Sequence, residues 1–381
     1  MNILWITKIS DIQSWKTSRI ELSKSLRKRG HNVKLVIVKD IGEKKPNNNQ
    51  NIIYFPTISH KLLSGLIFGL IITFYFPLIF RKKKIDVIII DGTSVWLPFI
   101  ATLKLLRIPL ILDIRTIPTR KKNEISFNIN LFLSKYIIDG LTTITPELKE
   151  TIIKDYNFNS KKIGIWPSGV STTDFIKIKN NSNSDIKKYY NEFVIIHHGS
   201  HGKSRGITNL IKSIAELDIN LRKKTKLILV GIPKNRQKEF LDISNKIGVK
   251  EQIELISKVE YKKIPSYIQS SDIGIIPLSP EKKWWKVSAP LKTLEYLGMG
   301  KPIVATNIPF HRRIFEKCEC GILIDSNNPK SLSDAIEYMY RDRKRLKEMG
   351  EKGRELVKKY YTWDKIAIEL EKFLENILVA K

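Results

Sequence analysis

Residues 193–217 read FVIIHHGSHGKSRGITNLIKSIAEL, and this stretch decides the fold class. An apolar strand at Phe193–Ile196 leads into a polar, glycine-containing loop and then into a helix over Ile207–Leu217. Strands that are apolar on both faces are typical of parallel sheets covered by helices. The stretch therefore predicts one strand–loop–helix unit of an α/β domain.

The same alternation continues on both sides of this unit. Before it, strands are predicted at Ile3–Ile6, Val33–Val38, Val87–Ile90, Leu110–Leu112 and Leu141–Ile144. After it, strands are predicted at Leu227–Val230, Ile253–Leu255, Ile273–Ile276, Ile303–Ala305 and Gly321–Ile324. Helical patterns separate these strands, and the polar segment Lys177–Tyr189 is the predicted linker.

A chain of 381 residues is too long for one ordinary core. We therefore expect an α/β protein with two Rossmann-like, doubly wound domains that face a central cleft. The first covers residues 1–172 and the second covers residues 190–360, with a last helix at 363–381 packing back on the first. In such sheets, ligands bind beyond the carboxyl ends of the strands.

The chain carries a formal net charge of +29, which attracts polyanions such as nucleic acid, anionic lipid or phosphorylated substrates. A composition rich in Lys, Ile and Asn gives the same excess without any such partner. No signature of a nucleic-acid-binding fold is present and the charge is not gathered into one stripe, so nucleic acid is not an expected partner. Cys318 and Cys320 are too close for an unstrained disulfide, which fits a reducing cytoplasm.

Leu62–Phe80 contains no charged residue and is followed by four basic residues, 81–84. Its length alone is that of a transmembrane helix. Strands are predicted on both sides, however, and strands of one sheet must share a compartment. We expect Leu62–Lys84 to contact the membrane surface, which places the protein in the cytoplasm, peripherally on the inner face of the cell membrane. A fully buried core helix is the alternative.

The loop at residues 197–206 contains three glycines, together with Lys203 and Arg205. Glycines allow close backbone approach, and the helix that follows presents free N–H groups to an anion. These features favour a diphosphate site, with a merely flexible loop as the alternative.

The segment at residues 288–302 reads SAPLKTLEYLGMGKP. Pro290 suits the first turn of a helix, on which Lys292 and Glu295 share one face. The lysine suits a phosphate and the carboxylate suits two hydroxyls of a ribose. A surface ion pair between the two side chains is the alternative.

Together, SAPLKTLEYLGMGKPIVAT and HHGSHGKSRGITNLI resemble the retaining nucleotide-sugar glycosyltransferases of family 4, which have the GT-B fold. The segments at 166–175, 270–278 and 320–325 agree with that family in order. The resemblance implies transfer of a sugar from a UDP- or GDP-sugar with retained configuration. No cofactor and no metal is expected, since the chain has no D-x-D motif near the site. The hydrophobic segment and the basic surface favour a lipid-linked or cell-envelope glycan acceptor.

The resemblance also implies individual roles. Glu295 matches the second glutamate of the family's E-x7-E motif, which holds the ribose, and Arg205 replaces a lysine that contacts the diphosphate. Arg205 and Lys292 would stabilise the leaving group. The expected donor-binding residues are Gly199, Ser200, Lys203, Arg205, Ser288, Pro290, Leu291, Lys292 and Glu295.

Three departures from the family pattern bear on function. Val287 stands where the first glutamate is usual, and Ser200 stands where an arginine is usual. Asp113 and Arg115 follow a strand at which many relatives place a histidine; they are candidates for orienting the acceptor or steadying the leaving phosphate, or form a structural ion pair. Val287 and Ser200 leave an inactive partner subunit of a transferase as one alternative. A sugar-nucleotide epimerase, which has the same fold but different chemistry, is another.

Overall fold

The computed structural model describes residues 1–7, 17–40, 50–57, 73–74, 84–92, 103–104, 107–176 and 191–380. Two compact units are present: Met1–Pro167 together with Trp363–Lys381, and Ser168–Thr362. Residues 168–172, which the sequence interpretation placed with the first domain, thus lie in the second unit. The predicted linker and almost all of Leu62–Lys84 fall outside the described residues.

The first unit is built on a parallel sheet, with seven strands in its described part. The strands are β1 (Asn2–Thr7), β2 (Asn32–Asp40), β3 (Ile52–Thr57), β4 (Val87–Asp91), β5 (Leu110–Ile114), β6 (Gly140–Thr143) and β7 (Ile163–Ile165). Their order, β3-β2-β1-β4-β5-β6-β7, runs outward in both directions from β1 and β4, which is the predicted doubly wound pattern. The described helices before residue 167 are α1 (Thr17–Lys28), α2 (Lys121–Ser134) and α3 (Pro146–Tyr156).

The second unit repeats the pattern with a parallel sheet in the order β10-β9-β8-β11-β12-β13. The strands are β8 (Phe193–His198), β9 (Thr225–Val230), β10 (Ile253–Ile256), β11 (Ile273–Ile276), β12 (Ile303–Thr306) and β13 (Gly321–Ile324). The sheet packs against helices through one continuous apolar core that includes Phe193, Leu229 and Ile336.

The helices of this unit connect the strands. They are α4 (Thr172–Phe175), α5 (Ile207–Glu216), α6 (Ile219–Lys223), α7 (Lys234–Lys246), α8 (Ile264–Gln269), α9 (Lys283–Lys286), α10 (Leu291–Gly298), α11 (Pro309–Phe315), α12 (Pro329–Arg341) and α13 (Arg343–Tyr360).

The last helix, α14 (Trp363–Val379), belongs to the first unit. It packs on α1, where Ser25 Oγ donates to Asp364 Oδ1 at 2.6 Å and Arg29 Nη2 lies 2.5 Å from Glu371 Oε2. Its buried face includes Ile366 and Leu370. The chain therefore leaves the first unit and returns to it at its last helix.

Within the described residues, no helix combines the length and the apolar composition that a bilayer crossing requires.

Candidate functional site

The loop after β8 and the start of α10 lie side by side in the second unit. Gly199 follows β8 with a φ of +98°, and a Cβ built on it would lie 3.7 Å from Lys292 Nζ. Residues with a side chain rarely adopt this backbone conformation, whereas glycine adopts it readily. Glycine at this position therefore allows the loop to pass close to Lys292. The two segments that the sequence assigned to a diphosphate are thus adjacent.

Lys292 is buried against the end of β8, with a histidine as its partner. Its Nζ lies 2.9 Å from His197 Nε2, and His197 Nδ1 lies 2.8 Å from the Ile275 carbonyl oxygen. Because a carbonyl only accepts, Nδ1 carries the ring hydrogen and Nε2 accepts from the lysine. This arrangement fixes the position of the Lys292 amino group, and the neutral imidazole supplies no counter-charge to it.

The surroundings of Lys292 disfavour its charged form. Burial lowers the pKa of Lys292 well below its ordinary value, and the charge of Arg205 lowers it further, whereas Glu295 opposes the shift. Burial also lowers the pKa of Arg205, to about 10. An anion bound beside these two cations would reverse these effects.

Arg205 is held in place by an aromatic ring. Its guanidinium carbon lies 4.6 Å from the centre of the Trp285 ring, and Trp285 Nε1 donates to the Ser204 carbonyl at 3.1 Å. Stacking of this kind fixes a guanidinium group and leaves its N–H donors available. Trp285 is itself buried, so it supports Arg205 from within the unit.

Glu295 is oriented one turn further along α10. Tyr261 donates its hydroxyl hydrogen to Glu295 Oε1 at 2.6 Å, and His198 Nε2 lies 3.2 Å from Glu295 Oε2. Tyr296 supports the same corner, since its hydroxyl accepts from the His198 backbone N–H at 3.0 Å. The Tyr261 hydroxyl therefore fixes the direction of the Glu295 carboxylate, and the His198 ring lies beside its second oxygen.

Two helix N-termini complete this region. Helix α10 begins after Pro290 and helix α5 begins after Gly206, and no side chain caps either one. The first N–H groups of a helix attract anions, and they do so most when uncapped. Ser200 is exposed at the loop, whereas Ser288 and Leu291 are partly buried at the start of α10. The position of Lys203 is described, but its side chain lies outside the described part.

The departure at Val287 is visible in the structure. Val287 is buried, with 6% of its surface exposed, so it offers neither a carboxylate nor an exposed polar group to a ligand. Ser168 Oγ donates to the nearby Ala289 carbonyl at 2.7 Å. The start of α10 is therefore tied to the segment at the beginning of the second unit.

Asp113 and Arg115 lie in the first unit, at the end of β5. Asp113 Oδ1 accepts from Thr142 Oγ1 at 2.8 Å, and its Oδ2 lies 3.8 Å from Arg19 Nη2. Burial raises the pKa of Asp113 to about 6 and the charge of Asp91 adds to this, against the opposing charges of Arg115 and Arg19. A carboxyl group of this kind exchanges protons near neutral pH.

Arg115 is turned onto a tryptophan. Its guanidinium carbon lies 3.4 Å from the centre of the Trp166 ring, and its Nη1 donates to the Trp166 carbonyl at 2.6 Å. In the described part of the chain its Nη2 is buried with no hydrogen-bond partner. Among the described residues, Asp113 Oδ2 and Arg115 Nη2 are both buried without a hydrogen-bond partner. A structural ion pair alone does not account for these two atoms.

Two family models match the chain over consecutive segments. The model described as Glycosyltransferase Family 4 matches residues 17–174, and the model described as Glycosyl transferases group 1 matches residues 178–356. Together they cover most of the chain. The chain belongs to the group 1 glycosyltransferases. The recognition made from the two sequence motifs is confirmed.

Solved structures of this family's fold are similar along the whole chain. The sucrose-phosphate synthase of Thermosynechococcus elongatus matches with a TM-score of 0.79 and 13% identity, with all of both chains covered. The Anabaena protein HepE, solved in complex with UDP-glucose, matches with a TM-score of 0.75 and 14% identity, covering 99% of this chain and 100% of that one. The predicted GT-B fold is confirmed by these matches.

A curated relative is an uncharacterized glycosyltransferase of Methanocaldococcus jannaschii, which is 25% identical over 261 residues, or 68% of this chain. The chain spans 64%, 47% and 59% of the lengths of the first three curated relatives that it matches.

The described residues contain no group of three or more His, Cys, Asp or Glu side chains placed to hold a metal ion. The expectation that no metal takes part stays a prediction.

Several residues that shape the site were not predicted from the sequence. Tyr261 lies 34 positions before Glu295, too far apart for any local spacing to link them. His197 and His198, at the end of β8, were not assigned a role from the sequence. The signal that was available is the clustering of three histidines within HHGSH, beside the predicted diphosphate loop.

Proposed function

We propose that this protein transfers a sugar from a nucleoside diphosphate sugar, such as a UDP- or GDP-sugar, to an acceptor hydroxyl with retention of configuration. The observation that carries the proposal is the pairing of Lys292 and Arg205 in a buried region beside two uncapped helix N-termini. Buried cations are costly without a counter-charge, and a diphosphate supplies one. The relative HepE, solved with UDP-glucose, supports the same donor class.

Each group has a part in the proposed reaction. The acceptor oxygen attacks the anomeric carbon while the bond from that carbon to the diphosphate oxygen breaks, and the acceptor proton passes to the leaving diphosphate. Lys292, Arg205 and the helix N–H groups stabilise the charge that develops on the departing oxygens. Glu295, held by Tyr261, binds the ribose hydroxyls. We assign the acceptor side to Asp113 and Arg115, with their unsatisfied polar atoms.

The donor assignment is tested by thermal-shift measurements with UDP-, GDP-, ADP- and dTDP-sugars, followed by transfer assays on native lipid extract. Glu295→Ala and Arg205→Ala are expected to abolish transfer while the fold stays intact. Wild-type turnover in both variants would remove the site assignment.

The same assays distinguish the transferase from the two alternatives, a sugar-nucleotide epimerase and an inactive partner subunit. Inversion of the donor sugar without any acceptor would identify an epimerase. Donor binding with no turnover on any acceptor would identify an inactive partner subunit.

One face of helix α2 in the first unit is exposed and apolar, which supports an acceptor that is located at a membrane. Helix α2 buries Leu131 and Ser134, but its opposite side exposes large apolar residues. These are Ile125, Ile129, Phe132 and Leu133, followed by Tyr136 just after the helix. Ile125 is 69% exposed and Tyr136 is 71% exposed, which is unusual for a surface helix.

Basic residues flank this apolar face. Arg120 and Lys121 precede it, and Lys135 Nζ lies 4.3 Å from the centre of the Phe132 ring. An apolar stripe with cations at its border fits an anionic lipid surface, where the cations meet headgroups and the apolar side chains enter the interface. We therefore propose that α2 contacts the membrane that carries a lipid-linked or cell-envelope acceptor.

Co-sedimentation with vesicles of phosphatidylcholine alone or with added phosphatidylglycerol tests this contact. We expect wild-type protein to bind the anionic vesicles, and a variant with Ile125→Ser, Ile129→Ser and Phe132→Ser to lose most of that binding. Ile219→Ser, which changes an exposed isoleucine of the second unit, is the matched control and should bind like wild type. Equal binding of the triple variant would show that α2 is not the contact.

A further inference from the structure

His201 is a buried histidine whose ring nitrogens make no hydrogen bond within the described part of the chain. It lies in the loop between β8 and α5, and 3% of its surface is exposed. Neither ring nitrogen has a hydrogen-bond partner there. Leaving a buried polar group unsatisfied costs about 1–3 kcal/mol, so such a group calls for an explanation.

The surroundings of His201 are basic. Its ring centre lies 5.3 Å from that of His197, and Arg236 Nη1 donates to the His201 backbone carbonyl. Burial lowers the pKa of His201 to about 3, and Lys292, Arg205, His198 and Arg236 all act in the same direction. Two of these neighbours have a carboxylate of their own nearby: Arg236 lies 2.9 Å from Glu239 and His198 lies 3.2 Å from Glu295. No carboxylate contributes to the shift at His201 itself.

A neutral imidazole has one N–H donor and one bare nitrogen. After burial, the charges of Lys292 and Arg205, the two cations assigned to the diphosphate, have the largest effects on the pKa of this ring. An anion there would accept the ring hydrogen and would offset the basic groups around it. A satisfied core histidine looks different: His311 is equally buried, but its Nδ1 lies 2.7 Å from the Thr306 carbonyl oxygen and its Nε2 lies 3.0 Å from Thr293 Oγ1.

We propose that His201 is a ligand of the donor's diphosphate and donates one ring N–H to a phosphate oxygen. This inference rests on the proposed function and adds to it a residue that the family pattern does not supply. Ser200 stands where an arginine is usual, so the imidazole one position later provides a donor in the same loop.

The test uses the full chain and calorimetric titration with UDP, GDP and inorganic pyrophosphate. His201→Phe keeps a ring of similar size but removes the donor. We expect it to weaken binding of the preferred nucleotide and of pyrophosphate by about 10-fold or more. His201→Gln keeps an N–H donor and is expected to retain most of the affinity.

Thermal stability of the ligand-free protein separates a ligand from a structural residue. Since neither ring nitrogen of His201 has a hydrogen-bond partner among the described residues, and phenylalanine keeps a ring beside His197, His201→Phe should leave the melting temperature unchanged or raise it. His311→Phe is the matched control, because it breaks two hydrogen bonds and should lower the melting temperature.

The outcomes are distinct. If wild type binds nucleotide and His201→Phe binds equally well, His201 is not a ligand and the proposed function stands. If wild type binds neither nucleotide nor pyrophosphate, the proposed function fails as well. A melting temperature lowered as much as in His311→Phe would make His201 structural. If His201→Phe does not fold, His201→Leu against His201→Gln gives the same comparison.

Discussion

At the scale of the residue, Asp113 gives the first unit a measurable pH dependence. Its pKa is about 6 in the folded state, against 3.8 for an ordinary aspartate. The folded state thus holds this proton more tightly than the unfolded state, so the stability it contributes is fully present below about pH 4 and is lost as pH rises through about 6. A shift of this size corresponds to roughly 3 kcal/mol.

Asp113→Asn should remove this dependence. We expect the stability of the variant relative to wild type to increase between pH 4.5 and pH 7.5, as measured by amide hydrogen exchange in β5. Asp155→Asn, which changes an exposed carboxylate of the same unit, is the control and should follow wild type. Parallel curves for Asp113→Asn and wild type would mean that Asp113 does not titrate in this range.

The residue scale also shows what a sequence can predict of a site. Arg205, Lys292 and Glu295 could be predicted as site residues because each lies in a contiguous motif with a helix start or a glycine loop. Tyr261 and His201 were missed for physical reasons. Tyr261 reaches Glu295 through tertiary structure alone, and the significance of His201 is its lack of a partner, which only a packed structure reveals.

At the scale of the element, Gly206 forms the junction between the loop at residues 197–206 and helix α5. It has a φ of +70°, and a Cβ built on it would lie 1.9 Å from the Pro277 carbonyl oxygen. Gly206→Ala should therefore destabilise the second unit by about 2 kcal/mol or more, measured as the free energy of unfolding. Gly202→Ala in the same loop meets no heavy atom within 4 Å and should stay within about 0.5 kcal/mol of wild type. Equal losses in both variants would rule out this steric explanation.

The strands of both sheets were predicted well, except at the two edges of the first sheet. β8 and β11 are continuous apolar runs because helices cover both faces of their sheet. The edge strands β3 and β7 were missed; β3 contains Pro56, which only an edge strand tolerates, and β7 has three residues. Helix α2 was also missed, because its largest apolar residues face outward and give no signal of a core-packed helix.

At the scale of the whole molecule, the chain crosses between its units a second time at Thr362. Val170 donates its backbone N–H to the Tyr361 carbonyl at 2.8 Å, which ties residues just before α14 to the second unit. Helix α14 then adds buried Trp363, Leu370 and Leu374 to the first unit. The stability of the first unit thus depends on residues far from it in sequence. The residues proposed to bind the diphosphate all lie within Ser168–Thr362.

Removal of residues 363–381 should consequently affect the two units differently. The first unit loses several buried apolar side chains, each worth about 1.5–3 kcal/mol, and the contact between Glu371 and Arg29. We expect hydrogen exchange to accelerate in β1 and α1, while the affinity for the nucleotide that wild type prefers stays within about 2-fold, as measured by calorimetry. The variant Glu371→Ala, which keeps the helix, should show a smaller acceleration in α1. Unchanged exchange in the first unit after truncation would show that α14 is dispensable for it, and a large loss of nucleotide affinity would show that the donor site depends on more than the second unit.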